Sequence, residues 1–448
     1  MAEGQSGAQV HQPSTHGARR CLWAPGLSLR SNPGMGDLNK LAYSLFALAL
    51  IAAPLALAQE AATDLTRAEE ARFNRILRAT PLIDGHNDVP WAIRSDHGND
   101  LANVDLRTDT RQLAPPMHTD IPRLRRTRLG AQFWSVYVPA SLRGLDSTQA
   151  VWEQIDLTRG MIARYDDTFE FADSAADITR IHRAGRIASM FGIEGGEAIN
   201  NNLALLREFR EAGVLYMTLT HSANTSWVDS ATAAPEHGGL SEFGLEVVRE
   251  MNRIGMLVDL SHVSADAMRD ALGVARAPVI FSHSSAFAIA HHPRNVPDDV
   301  LQQVARNGGV VMVNFTSPFI NEEFRQWSGR RAGIRQQYIS LNPGEPTSAA
   351  DAHARAWSEQ NPPPRVTAGD VADHVEHIAR VAGYDHVGLG ADYDGVTYLP
   401  EGMEGVDGYR ALFAELMRRG WNDSNLAKLA GGNLLRALRQ AERVAAES

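Results

Sequence analysis

The chain has 448 residues, 44% apolar and 21% charged, and a formal net charge of −10. That length allows one large barrel-type domain or two ordinary ones, and an acidic chain without a basic stripe argues against nucleic acid as a partner. Cys21 is its only cysteine, and Lys40 and Lys428 are its only lysines.

Residues 1–34 are rich in Gly, Ser, Gln and Pro without apolar periodicity, and are expected to be a disordered or non-native extension. Met35 then opens a better-formed segment: Lys40, the apolar run Leu41–Leu57, and Ala56-Leu57-Ala58. A positive start, an apolar middle and an A-x-A site predict a signal peptide over 35–58, cleaved after Ala58. The competing reading is an uncleaved anchor, since the run nearly matches bilayer thickness. Cleavage leaves residues 59–448 as a single secreted or periplasmic domain with no stable membrane insertion. It also discards Cys21, which excludes disulfides, a cysteine nucleophile and thiolate-bound zinc. Lys428 alone remains, so a carboxylated lysine bridging two metals is excluded. A carboxylate would have to take that role.

Thr66–Thr80 reads as a helix, with capping-box spacing at Thr66 and Glu69 and an apolar stripe of Phe73, Ile76 and Leu77. Eight short apolar runs follow: Leu82–Asp88, Phe133–Pro139, Ser189–Gly195, Leu215–His221, Leu257–His262, Pro278–His283, Gly309–Phe315 and His386–Asp392. Amphipathic stretches such as Thr148–Tyr165, Leu203–Ala212, Ser241–Ile254, Ser264–Leu272 and Val296–Ala305 separate most of them. Strands alternating with helices imply parallel pairing, and eight such units predict an α/β (β/α)8 TIM-type barrel with its site at the strand C-termini. Those ends carry His86 and Asp88, then Ser135, Glu194, His221, His262, His283, Asn314 and Asp392. After run seven the spacing exceeds what one helix needs, so Asn321–Arg365 is expected to be an insertion, either lining the pocket mouth or merely decorating the barrel. The helix Ala368–Ala382 follows it, and Tyr409–Arg419 and Asn425–Val444 are C-terminal helices.

In an extended segment residues i and i+2 share a face, so His86 and Asp88 would aim into one space as half a metal site. Glu194 ends its run before two glycines, which is poor core material. It is either a structural acid or a ligand able to serve two metals, one per oxygen. His262 and His283 close adjacent runs, each in a Ser-His pair. Equivalent positions on a rim already holding His-x-Asp and Glu favour ligation over a satisfied core, and nitrogen and oxygen donors without sulfur suit zinc, or less well manganese or cobalt. His221 has three readings: a sixth ligand, a core histidine, or a donor to substrate oxygen. Arg294 is either a carboxylate clamp or a loop brace. Asp392 could take a proton from a water and pass it to a leaving amine. Asp394 receives no role, and His291 and His292 are read as solvent-facing.

Seven ordered motifs now resemble one family. Gly85-His-Asn-Asp88, Gly192-Ile-Glu-Gly-Gly196, Thr218-Leu-Thr-His-Ser222, Asp259-Leu-Ser-His262, Phe281-Ser-His-Ser-Ser285, Arg294-Asn-Val-Pro-Asp298 and Gly388-Leu-Gly-Ala-Asp-Tyr-Asp-Gly395 are similar to the membrane (renal-type) dipeptidases, which are zinc peptidases. The resemblance implies two Zn2+ per chain, one held by His86 and Asp88, the other by His262 and His283, with Glu194 bridging. It implies that His221 and Arg294 bind substrate while Asp392 handles the proton. The implied reaction is hydrolysis of dipeptides with a free C-terminal carboxylate, D-residue and dehydro forms and β-lactams included, through a metal-activated bridging water. Animal members are lipid-anchored, disulfide-linked dimers. Without a mature cysteine neither the disulfide nor that anchor transfers here, although a homodimer stays open. The family's tyrosine after strand seven is absent from Asn314-Phe-Thr-Ser-Pro-Phe319, which leaves side-chain preference open. The alternative enzyme is a two-metal lactonase or phosphotriesterase on the same barrel. A catalytically silent binding protein is the alternative from another class.

Overall fold

The computed structural model describes residues 65–448, so the expected extension and signal peptide lie outside the described residues. Nine strands run in chain order: β1 Leu82–Asn87, β2 Leu129–Tyr137, β3 Phe169–Phe171, β4 Ile187–Glu194, β5 Val214–Thr218, β6 Leu257–Asp259, β7 Ile280–Phe281, β8 Val310–Val313 and β9 Val387–Leu389. All pairings among them are parallel, and β1 pairs with both β2 and β9. Because β2 also pairs directly with β4, eight strands close into a (β/α)8 barrel as the periodicity predicted. The ninth, β3, was not predicted. It pairs with the first three residues of β4, and β5 takes over the upper part of β4 from Phe191 onward.

The helices between strands begin where polar side chains can satisfy free backbone N–H groups. Ser241 caps Glu242–Arg253, Ser264 caps Ala265–Val274 and Thr66 forms the predicted capping box. Their apolar faces, such as Val247, Val248 and Met251, pack on the outside of the barrel.

The barrel interior is filled, not hollow. Tyr216 on β5 turns its ring inward against Phe133, with ring centroids 4.9 Å apart. Gly192 on neighbouring β4 makes this arrangement feasible, because a Cβ there would lie 2.0 Å from the Tyr216 ring. Two seams have little ladder pairing: β1–β9 and β6–β7 each register at a single position. A buried aspartate ties each. Asp84 Oδ1 accepts the N–H groups of His86 (3.1 Å) and Ala391 (3.0 Å), and Asp259 Oδ1 accepts those of Ser261 (3.1 Å) and Ser282 (2.8 Å). Side-chain carboxylates thus replace missing backbone acceptors beside the strand ends that carry the metal-ligand candidates.

Asn321–Arg365 folds as two helices, Glu322–Leu341 and Thr347–Gln360, joined face to face by Arg335–Asp351 (2.6 Å) and the Tyr338–His353 ring contact. Its root packs Phe324 and Trp327 against Tyr398. Among the described residues, none from 321–365 lines the pocket at the strand C-termini, which favours decoration over a mouth-lining role.

The helix Ala368–Val381 supplies a pH-sensitive tie. His374 Nδ1 accepts the Ala286 N–H (2.9 Å) and its Nε2–H donates to Ile320 O (2.8 Å), linking the chain after β7 to that after β8. Burial pushes this imidazole down to about 4, whereas the unfolded side chain titrates near 6.5. The neutral ring's contribution is therefore complete above pH 6.5 and is lost as pH falls toward 4, by up to about 3 kcal/mol. Urea unfolding at pH 7 and pH 4.5 should show a smaller stability difference for His374→Gln than for the wild type. An identical difference in both proteins would refute this assignment.

Candidate metal centre

The site forms where strands end and the chain turns away, so its metal-ligand candidates and Asp392 come from five strand ends. His86 closes β1 with Asp88 just beyond it, and Glu194 closes β4 in register with Tyr137 of β2. His262 lies past β6, His283 past β7 and Asp392 past β9. His262 and Asp392 adopt left-handed backbone conformations (φ 71° and 67°) that aim their side chains back over the barrel. Such conformations cost a non-glycine residue about 1 kcal/mol and persist where surrounding structure enforces them. Gly395 admits two of the carboxylates, since a Cβ there would stand 2.1 Å from Asp88 Oδ2 and 2.7 Å from Asp392 Oδ1.

The five residues read from sequence as metal ligands are brought together. Glu194 divides its oxygens between two groups. Oε2 faces His86 Nε2 at 3.4 Å, which is also 3.3 Å from Asp88 Oδ2. Oε1 faces His262 Nε2 at 2.9 Å and His283 Nε2 at 3.4 Å. His86, Asp88 and Asp392 also converge as a set within 4.8 Å, as do Glu194, His221 and His262.

Burial acts against charge on Glu194, His86, His262, His283 and Asp392, and their neighbours decide which keep it. Burial would raise Glu194, but the His86, His262 and His283 rings hold its carboxyl well below the usual range. Burial lowers His262 and His283 well below an ordinary histidine, so both rings are neutral. For His86 burial is overcome by the Tyr216 oxygen and the Glu194 and Asp88 carboxylates, and its pKa rises well above the ordinary value. Asp392 is pushed up to about 8 by burial, with the His86 ring opposing and Asp88 and Glu194 reinforcing.

These residues fit a metal on structural grounds. The Nε2 atoms of His262 and His283 lie 2.8 Å apart and both face Glu194 Oε1. Two neutral imidazoles and a carboxylate therefore turn lone pairs toward one point, an arrangement that a cation reconciles. The outer ring nitrogens of His283 and His86 fix the orientation of those two rings. His283 Nδ1–H donates to Ser282 Oγ (2.7 Å), whose O–H donates to Asp259 Oδ2 (2.6 Å). His86 Nδ1 lies 3.0 Å from the Tyr216 hydroxyl, which donates onward to Gly85 O. Each relay leaves Nε2 as the inward-facing ligand atom. Asp259→Asn should lower metal affinity about 10–100-fold while the protein stays folded, as chelator competition can measure. Unchanged affinity would show that the Asp259 relay does not orient His283.

The remaining predicted residues line the same cavity of about 310 Å³. His221 is partly open to it, its Nε2 3.9 Å from Glu194 Oε1 and its ring stacked at 4.3 Å on His262. That partial exposure removes the core-histidine reading. Arg294 is buried, donating weakly to Ser284 Oγ (3.3 Å) and His283 O (3.4 Å), with Phe319 stacked at 5.4 Å. Its Nε has no partner, and among the described residues no carboxylate lies within ion-pair distance, so burial lowers this guanidinium to about 10. Asp392 Oδ2 accepts from Asn314 Nδ2 at 2.8 Å.

Sequence reasoning missed the cavity's aromatic wall. Tyr137 extends β2 beyond Ser135, with its hydroxyl 3.5 Å from His221 Nδ1 and its ring edge-on to Trp91 at 4.8 Å. The i, i+2 relation of Ser135 and Tyr137 was the available signal, because Ser135 Oγ also reaches Glu194 Oε2 (3.3 Å). One expectation is corrected. His292 is not solvent-facing but half-buried, its ring 4.1 Å from that of Phe319, because the loop folds inward to deliver Arg294. His291 is exposed, as expected. Asp394 sits in a left-handed turn and accepts the His118 N–H at 2.6 Å.

The family and the barrel are shared with known proteins. The sequence model of membrane dipeptidases, peptidase family M19, matches residues 70–448. The probable dipeptidase PvdM from Pseudomonas aeruginosa superposes with a TM-score of 0.71 at 21% identity, covering 85% of this chain and 100% of its own. Dipeptidase AC, a metallopeptidase of family M19, gives 0.66 at 24% identity over 81% and 98%. A metallopeptidase from Rhodobacter sphaeroides, carrying a phosphinate mimic of the dipeptide L-Ala-D-Ala, gives 0.65 at 23% identity over 81% and 99%. Likenesses this distant establish the shared barrel, while the family match spans nearly the whole described domain. Among the described residues no helix is long and apolar enough to cross a membrane. The chain belongs to the membrane dipeptidase family, peptidase family M19, and is a metal-dependent dipeptidase.

Proposed function

We propose that this enzyme binds two zinc ions and hydrolyses dipeptides that carry a free C-terminal carboxylate, L,D-dipeptides included. One observation carries the reading: a carboxylate with each oxygen turned to a different ligand group shares a cavity with a buried arginine that lacks an acidic partner among the described residues. His86 and Asp88 would hold one ion, His262 and His283 the other, and Glu194 both. When bound, such a pair would supply a water activated near neutral pH and polarise the scissile carbonyl.

The rest falls to the chain's own groups. Arg294 pairs with the substrate carboxylate, replacing its weak bonds to Ser284 and His283 with a charged, two-point one. Carried on a loop that Asn295 ties to the carbonyls of Ala290 and Phe319, it sets the distance from the C-terminus to the cleaved bond and so excludes longer peptides. The Tyr137 hydroxyl can donate to His221 Nδ1, which leaves Nε2–H to donate to the developing oxyanion. Asp392, held by Asn314 Nδ2 in the same cavity, is the carboxylate placed to take a proton from the attacking water and release it to the leaving amine. The R. sphaeroides protein's dipeptide mimic has L,D stereochemistry, which supports testing that class here.

The test is a panel of L,L- and L,D-dipeptides, with and without an amidated C-terminus, on zinc-loaded enzyme. Free dipeptides should be cleaved and their amides spared; equal cleavage of both would refute the reading. Secretion to the periplasm or beyond rests on the sequence of residues 35–58, and Edman sequencing of exported protein should begin at Gln59.

A further inference from the structure

At the opposite end of the barrel, where β2 and β4 begin, a second cavity of about 410 Å³ is lined by Arg78, Arg125, Arg128, Arg183, Arg186 and His182, with Asp167 as its lining carboxylate. Along β4 alone, Ile187 at this cavity stands roughly 23 Å from Glu194 at the metal centre. The two sites are therefore separate.

Structure alone explains part of this charge. Three helices, Arg67–Ala79, Ile121–Arg126 and Ala175–Arg183, end here, and basic residues complement the negative ends of helices. That demand is too small to account for all of it. Each helix end presents about half a negative charge at most. Asp167 is already shared between Arg107 (3.4 Å) and Arg125 (3.9 Å), and Glu170 between Arg180 and Arg186. Arg78 and Arg183 have no acidic partner among the described residues. Among the described residues Arg128 pairs only with the neutral Asn74, and it occupies a left-handed position (φ 54°) just past a helix end, where glycine would be the unstrained choice. More than one positive charge is left over, on guanidinium groups that present paired donors from several sides of one concavity. The chain as a whole carries −10, so this is a local reversal of sign.

We propose that this cavity is an anion site for a phosphate group, borne by a soluble ligand or by a phospholipid headgroup. Planar guanidinium forks match phosphate oxygens two at a time, and the volume exceeds what one inorganic phosphate fills, leaving room for the group that carries it. The distance from the metal centre makes it a tethering or stabilising site, not a catalytic one.

Isothermal titration of the zinc-loaded enzyme with inorganic phosphate at low ionic strength tests this. Any phosphate taken up at the metal centre is common to wild type and variants, so the comparison isolates the basic cavity. Arg78→Glu/Arg183→Glu should weaken the additional site at least tenfold and leave dipeptide kcat/KM within twofold. Arg78→Gln/Arg183→Gln, which disturbs the fold less, should weaken it in the same direction. Sedimentation with phosphatidylglycerol vesicles distinguishes the source: co-sedimentation lost in the variants indicates a headgroup, and phosphate binding without co-sedimentation indicates a soluble ligand. Phosphate binding that is absent in wild type, or equal in wild type and both variants, would overturn the proposal.

Discussion

Glu194→Ala should bind at least one metal ion fewer per chain and lose dipeptidase activity by about 10⁴-fold or more, a loss on the scale of removing a central catalytic group. The expectation follows from how the carboxylate is placed. Its two oxygens face His86 on one side and His262 with His283 on the other, at 2.9–3.4 Å. With no lysine nearby, no other described side chain is positioned between both groups. The variant also removes a buried negative charge that the His86 ring opposes, so a moderate change in stability is expected in the metal-free protein. Metal content by atomic emission, together with circular dichroism to confirm folding, separates loss of ligation from loss of structure. A folded variant that retains two ions per chain would end the bridging assignment.

Arg294→Ala should act differently. Metal content should be unchanged, while kcat/KM for dipeptides falls about 10²–10³-fold, the scale of losing a desolvated charge pair with substrate. The discrimination itself should vanish, so that the variant treats a dipeptide and its C-terminal amide alike. Among the described residues the guanidinium has no acidic partner to leave stranded, so truncation should not destabilise the fold through an orphaned charge. A neutral ester or lactone should be hydrolysed by the variant as well as by the wild type. This result also separates the dipeptidase from a two-metal lactonase or phosphotriesterase, for which the arginine would be dispensable. Dipeptide cleavage left intact in the variant would make Arg294 a loop brace.

The two variants test different layers of the same cavity. Glu194 belongs to the rim formed by the strands themselves, whereas Arg294 enters on a loop held by Asn295 Nδ2 bonding to the carbonyls of Ala290 and Phe319, both at 2.8 Å. Loss of metal should therefore abolish all hydrolysis, and loss of the arginine should only redirect it.

The sequence by itself determined the barrel and which side chains stand at the C-terminal ends of its strands. Apolar runs of strand length alternating with amphipathic helices leave few topologies, and a barrel necessarily gathers its strand C-termini at one face. Once His86, Asp88, Glu194, His262 and His283 were seen to end such runs, their convergence followed from topology. Spacing could not say how finely these groups are aimed. The left-handed backbone at His262 and Asp392, the Ser282–Asp259 relay behind His283 and the Tyr216 ring beneath His86 arise from contacts between residues tens to hundreds of positions apart. Tyr137 lay inside the predicted run Phe133–Pro139 but escaped notice because its contact is with His221, 84 positions away, a pairing that only the closed barrel creates. The basic cavity on the opposite face was hidden for a related reason: its arginines belong to separate helix ends, each unremarkable alone, and only folding sets them around one space.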